Sequence, residues 1–261
     1  MPNNFKPAFD TPPQITLPII GFVRSPLTQK FGVPRQPNLV QIPTFIEFIP
    51  PYDNPLAFDG LEQFSHLWVI WQFHQNKKVT VNQDFSPQVR PPRLGGNQKI
   101  GVFATRSMYR PANIGLSVVK IDKLTLDPPE YHRDNLKVRL HILGGDMVDG
   151  TPVLDIKPYI SYSDSIDNAI SGYAEHKPQP KQVTLSQNLQ NQLVEFAQNN
   201  QLTVQDIGLI TQLLAQDPRP AYRQQEWQTP FTMRYRQFDC TFYQVNEQTL
   251  VWDAVKLIDI S

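Results

Sequence analysis

Five cations, Arg90, Arg93, Lys99, Arg106 and Arg110, fall within the stretch 89–115, VRPPRLGGNQKIGVFATRSMYRPANIG, and no acidic residue stands among them. Pro-Pro, Gly-Gly and Pro-x-Asn elements punctuate the stretch. Proline locks φ, and Asn and Gly accept turn conformations, so these loops are stiff. A guanidinium on rigid backbone presents a planar fork of donors to a carboxylate or a phosphate. The whole chain has 24 Lys plus Arg against 24 Asp plus Glu, so the excess is local and not a general basicity. Phe103 and Tyr109 interleave with the cations. Cations suit phosphates and aromatic faces suit exposed bases, so the stretch reads as a surface for nucleic acid or another polyanion. A solvated basic face is the plainer alternative.

Three more stretches have chemical potential. SPLTQKFGVPRQP (25–37) carries Lys30 and Arg35 in a region without acids from Thr11 to Ile46. It reads as a ligand loop or a basic turn. His66 and His74 bracket HLWVIWQFH. On a strand they stand about 26 Å apart at roughly 3.3 Å per residue, so they cannot share a metal ion. With no third ligand nearby, no metal is expected. His74 and Gln75, at the strand end, can offer donors to a ligand. GGDMVDGTPVLDIKPY (144–159) sets Asp146, Asp149 and Asp155 among glycines and prolines. Such carboxylates cap their own backbone, accept from ribose hydroxyls or balance a cationic ligand. The spacing of a calcium loop is missing. So are the glycine-rich dinucleotide and phosphate loops, the H-E-x-x-H zinc motif and the G-x-S-x-G esterase motif.

These loops need a scaffold. The periodicity predicts strands at 15–25, 44–50, 66–74, 99–105, 116–126, 136–151 and 152–160, with one helical turn between the second and third. No regular helix separates them, which argues for an antiparallel sheet or barrel over a βαβ fold. Both faces of HLWVIWQFH are bulky, so that strand is expected to be central or barrel-lining. Small, polar and proline residues from 161 to 182 read as a linker. Two helices follow at 186–200 and 203–216, the second opening on a capping-box pair, Thr203 and Asp206, and then two or three strands. With 261 residues, 40% of them hydrophobic, the chain suits one large or two modest domains. The expected division is an N-terminal arm at 1–18, a barrel at 19–165, a linker at 166–182 and a small α+β unit at 183–261. Arg219, Arg223, Arg234 and Arg236 give that last unit a cationic character. A lone cysteine, Cys240, fits a reducing cytoplasm and inert burial. No apolar run approaches the length of a membrane span, and the N-terminus does not read as a secretory signal.

The ordered set IGFVRSPLTQKFGVPRQP, FDGLEQFSHLWVIWQFHQN, VRPPRLGG, GVFATRSMYRPANIGLSVVKI and DMVDGTPVLDIKPY resembles the TsaA-like family over roughly residues 19–160. DPRPAY at 217–222 resembles the extra C-terminal domain of its longer members. The resemblance implies a mainly β fold: a single-sheeted β-barrel methyltransferase domain with a small α+β C-terminal domain, generally a homodimer. It implies transfer of a methyl group from S-adenosylmethionine, without a metal, to N6 of threonylcarbamoyl-adenosine at position 37 of threonine tRNAs. The family's methyl-donor site maps onto Pro34, Arg35, Gln36, His74, Gln75, Arg106 and Leu116, closed by Asp149, Gly150, Thr151 and Pro152. Arg35 or Arg106 would meet the donor's carboxylate, and backbone of the 149–152 loop its adenine or ribose. Arg90, Arg93, Lys99 and Arg110 would then hold tRNA phosphates. No residue is assigned as the base. Members often read TRSxxRPNPIG where this chain has RPANIG, which leaves Asn113 without a family role. Two rivals stand beside this reading: a non-catalytic RNA- or nucleotide-binding barrel, and a methyltransferase that uses the same donor on a small molecule or protein.

Overall fold

The computed structural model describes residues 15–76, 86–127, 137–199 and 201–258. Most of the expected N-terminal arm and the last residues of the chain lie outside these. The chain is mainly β, as expected. Strands β1 (Gly21–Arg24), β2 (Pro43–Phe48) and β3 (His66–Gln72) lead to a hairpin of two-residue strands, β4 (Gln88–Val89) with β5 (Ile100–Gly101). Then come β6 (Ile114–Asp127), β7 (Lys137–Leu143) and β8 (Pro152–Pro158). Six of these close on themselves in the order β1-β2-β7-β6-β3-β8, and all six pairings are antiparallel. Closure depends on the length of β6. Its first half, Ile114–Lys120, pairs with β3, and its second half, Lys120–Asp127, pairs with β7.

Alternation explains the interior. Along β3, Leu67, Val69 and Trp71 are buried, while His66, Trp68 and Ile70 are half-buried on the other face. The buried three join Val23, Ile46, Val119, Leu140, Ile142 and Val153 in one cluster. Each such side chain, fully removed from water, contributes about 1.5–3 kcal/mol.

Several expected boundaries shift. The first strand begins only at Gly21, where pairing with both neighbours starts. The region 99–105 is a two-residue strand and a 3-10 turn, Val102–Ala104. The strand expected to run to 151 ends at Leu143, because Gly144 turns the chain at φ +84°. The span 144–151 is therefore a loop. Between β2 and β3 there are two 3-10 turns, not one.

The expected linker contains α1 (Ser161–Asp164), a 3-10 turn at Gly172–Ala174 and the start of β9 (Gln182–Leu185). Helices α2 (Gln187–Gln198) and α3 (Val204–Ala215) follow, then β10 (Phe231–Tyr235), β11 (Phe238–Asn246) and β12 (Thr249–Leu257). The Thr203–Asp206 capping box is present. The sheet order is β10-β11-β12-β9, with β9 parallel to β12. Cys240 is buried, and burial pushes its thiol up to about 12.

A second apolar cluster joins this C-terminal unit to the N-terminal half. Leu27, Val40 and Ile42 are buried in one cluster with residues of the C-terminal helices and sheet such as Ile210, Met233 and Trp252. Phe31 stacks on Phe231 and on Phe242, with centroids 6.5 and 6.4 Å away. The loop after β1 is thus built into the C-terminal core.

Candidate functional site

A cleft of ≈ 3230 Å³ opens between the barrel, the cationic segment before β6 and the C-terminal unit. Pro34, Arg35, Gln36, His74, Gln75, Arg106, Leu116 and Thr151 line it, and so do Arg90, Arg93, Lys99 and Arg110. These residues come from four separate parts of the sequence. Asp149, Gly150 and Pro152 do not line it. Asp149 Oδ1 accepts from the Ser25 backbone N–H at 3.0 Å, and the N–H groups of Asp149 and Gly150 donate to Leu27 and Val23 carbonyls. The Thr151 N–H and hydroxyl both donate to Val148 O. That loop locks the end of β1 in place, so its N–H groups are already bonded within the protein.

At the cleft floor Arg106 ties two expected neighbours together. Its guanidinium donates to Gln36 Oε1 at 2.5 Å and to the Leu116 carbonyl at 3.3 Å. Arg35 points elsewhere: it donates to the backbone carbonyls of Arg219, 2.7 Å, and Asp217, 3.4 Å. Of the two arginines considered for a ligand carboxylate, Arg35 already grips the C-terminal unit. Lys30 donates to the Gln75 carbonyl at 2.7 Å and to Asn76 Oδ1 at 3.0 Å, which fixes the turn after β3. Partial burial holds His74 below the ordinary imidazole value, and Lys30 nearby adds to the effect. Neutral imidazole offers one donor and one acceptor.

Next to Leu116, Ser117 reaches Asp146, one of the three carboxylates of the 144–159 stretch. Trp71 Nε1 donates to Ser117 Oγ at 3.0 Å, and Ser117 Oγ donates to Asp146 Oδ1 at 2.6 Å. Asp146 lines the cleft. Burial raises its carboxyl to about 6, against the lowering effects of Ser117 and Arg106. The sequence offered only the Gly-Gly before it as a signal. The Ser117 partner, 29 positions away, is visible only in the fold.

The wall is cationic. Arg90, Arg93 and Lys99 are exposed. Arg110 is half-buried, donating to Thr105 O at 3.0 Å with its guanidinium over the Phe103 ring. The segment re-enters the barrel through Asn113 at φ 50°, a left-handed conformation that Asn tolerates. The turn at Pro92–Leu94 touches the 3-10 turn at Gly172–Ala174, so the stretch expected to be a linker forms part of the wall.

The C-terminal arginines are not a free cationic surface. Arg219 is fully buried and bidentate on Asp217, Arg223 pairs with Glu226, Arg234 with Asp239 and Arg236 with Asp206. His66 is bonded to Ser65, and no group of metal-binding side chains occurs among the described residues.

By its architecture this is a closed β-barrel protein whose loops border a cleft lined with cations. The family model described as the tRNA-methyltransferase O N-terminal domain matches residues 22–165, and the TrmO C-terminal domain matches residues 178–257. The chain is 42% identical over 234 residues to the tRNA (adenine(37)-N6)-methyltransferase of Escherichia coli, covering 85% of this chain and 93% of that protein. It is 38% identical over 182 residues to the human protein of the same name, covering 69% of this chain and 37% of that one. A crystal structure of TrmO from Pseudomonas aeruginosa superposes with a TM-score of 0.72 at 32% identity, covering 95% of this chain and 100% of the other. The chain belongs to the tRNA-methyltransferase O family, and it is an enzyme of that methyltransferase class. Among the described residues no helix is long and apolar enough to cross a membrane.

Proposed function

We propose that this protein transfers a methyl group from S-adenosylmethionine to N6 of threonylcarbamoyl-adenosine at position 37 of threonine tRNAs. The observation that carries the proposal is one continuous cleft. It holds the Gln36–Arg106–Leu116 knot on its floor and Arg90, Arg93, Lys99 and Arg110 on its wall. Small-molecule sites typically occupy about 300–1,000 Å³. A cleft of ≈ 3230 Å³ has room for a nucleic-acid loop beside such a ligand.

The lining suits the donor. Leu116, Val33, Leu39 and Val148 give apolar surface for an adenosine. Arg106 supplies positive charge for a carboxylate. Bound S-adenosylmethionine would bring an electrophilic methyl group. The protein's part is to hold acceptor nitrogen, methyl and sulfur nearly in line. We assign donor binding to Pro34, Arg35, Gln36, His74, Gln75, Arg106, Leu116 and Thr151. In this assignment Asp149, Gly150 and Pro152 act through the backbone that sets Thr151, and Arg35 acts by fixing its own loop. Residues 19–165 would carry donor and reaction, and 183–261 would brace the donor loop. The enzyme would work in the cytoplasm as a homodimer.

The test is incubation of the purified protein with labelled donor and tRNA from cells that lack this activity, followed by mass spectrometry of the nucleosides. One added methyl on threonylcarbamoyl-adenosine is expected, in threonine tRNAs only. Donor turnover that needs no tRNA, or tRNA binding with no turnover, would overturn the reading.

A further inference from the structure

Resting on that reading of the reaction, we propose that Asp146 is the catalytic base that accepts the N6 proton, and that Ser117 and Trp71 are positioning residues that hold its carboxylate. The acceptor nitrogen is a weak nucleophile because its lone pair is delocalised into the purine and the carbamoyl group. The same delocalisation makes its N–H more acidic than an ordinary exocyclic amine. A carboxylate within hydrogen-bond reach can then remove the proton as the new bond forms.

Among the described residues, one carboxylate on the cleft floor is built for this. Ser117 is 1% exposed and Trp71 5% exposed, so both members of the relay are fixed by packing in the barrel. The relay runs in one direction: the indole N–H donates to the serine oxygen, and the serine hydroxyl donates to Asp146 Oδ1. Ser117 is the side chain that donates to this carboxylate among the described residues, and the Asp146 backbone N–H acts on it as well. The other cleft carboxylate, Asp217, is held by Arg219 and Lys181 at 2.8 and 3.0 Å and has no capacity to act as a base. In the step, the N6–methyl bond forms while the methyl–sulfur bond breaks. Sulfur keeps the electron pair and becomes a neutral thioether. The N6 proton moves to Asp146, leaving a neutral carboxylic acid that releases it to solvent through the open cleft.

A carboxyl that titrates close to neutrality suits this work, being ionised at pH 7 yet still basic. The charged group acting on it is Arg106, from the segment before β6. Thr44, Ser117 and Trp71, from β2, β6 and β3, are neutral. His74 also lines the cleft and titrates below the ordinary imidazole value, so it is the rival source of any pH effect in this range.

The experiment compares wild type, Asp146→Asn and Ser117→Ala. Donor binding is measured by calorimetry, tRNA binding by filter retention and methyl transfer by single turnover from pH 5 to 8.5. The wild-type rate should fall below about pH 6. Asp146→Asn should lose about 10²- to 10⁴-fold in rate, with donor and tRNA affinities within about two-fold of wild type. Ser117→Ala should lose less, with an altered acid limb. A second readout needs no donor. The melting temperature of Asp146→Asn relative to wild type should rise between about pH 4 and 6 and stay level above, because only the wild type has the raised Asp146 carboxyl to ionise in that range. An active Asp146→Asn enzyme, an unchanged acid limb in its residual activity, a flat wild-type profile, or a loss confined to donor affinity would each overturn the assignment. In the last case Asp146 is a donor-binding group. A wild type inactive on every tRNA would instead overturn the proposed function and this assignment with it.

Discussion

Arg219 is the clearest case of a side chain whose role depends on a partner that the chain folds back to meet it. It is fully buried, bidentate on Asp217 at 2.8 and 2.9 Å, and bonded as well to Gln244 and to the carbonyls of Gln224 and Glu226. A buried guanidinium is tolerable only while paired. Asp217→Ala should therefore cost about 3–5 kcal/mol in urea unfolding, and Asp217→Asn less, since the amide oxygen still accepts. Acid should act in the same direction. Despite burial, bonds from Arg219 and Lys181 hold Asp217 below the ordinary carboxylate range, and bonds from Thr203 and Tyr235 do so for Asp206. A depressed folded value means that their stabilisation is complete above the ordinary range and is lost as pH falls through the folded values. In the sequence, DPRPAY announced a family motif, and its arginine read as surface charge. Two facts were hidden: Asp217 adopts φ 47°, and its carboxylate is held in a bidentate bond by the arginine two positions on.

Among the elements, β3 and β6 set the floor. The bulk on both faces of HLWVIWQFH made β3 legible, and the structure pairs it on both sides. The close approach it makes to β6 was not legible. Gly115 sits opposite Trp71 in the register of the two strands, and a Cβ there would stand 2.2 Å from the indole. Gly115→Ala should displace Trp71, break its bond to Ser117 and lower stability by about 1–3 kcal/mol in thermal melts. The methyl-transfer rate should fall as well, although residue 115 offers no side chain to a ligand. β9 was missed for a different reason. QVTL is short and polar, and it becomes a strand only because β12 presents a parallel edge 67 positions away, as in the Gln182↔Thr249 pair. The helices, by contrast, were readable to within a residue or two. Their caps, Ser186 and Thr203, are local signals, with Ser186 Oγ accepting from the Leu189 N–H at 3.1 Å.

At the scale of the molecule, the cleft is a joint product of barrel, cationic segment and C-terminal unit. Its cationic wall was the most legible part of the site, because an acid-free run is a property of composition. The floor was not legible, because it is made by pairing. If the wall is an electrostatic track, replacing Arg90, Arg93 and Lys99 together by Ala should weaken tRNA binding. It should also flatten the plot of log K against log salt by about 2–3, with calorimetric affinity for S-adenosylmethionine unchanged. An unaltered salt slope would remove tRNA from that surface. The stacking of Phe31 on Phe231 and Phe242 also bears on how the protein is made. A ribosome delivers the N-terminal part first, at about 5–20 residues per second. Phe31 therefore waits on the order of 10–40 s for the rings that complete its packing. Until they emerge, the loop bearing Gln36 lacks the two rings on which Phe31 stacks. A nascent or prematurely terminated chain would lack the wall that the C-terminal unit gives to the chamber in which tRNA and donor would meet.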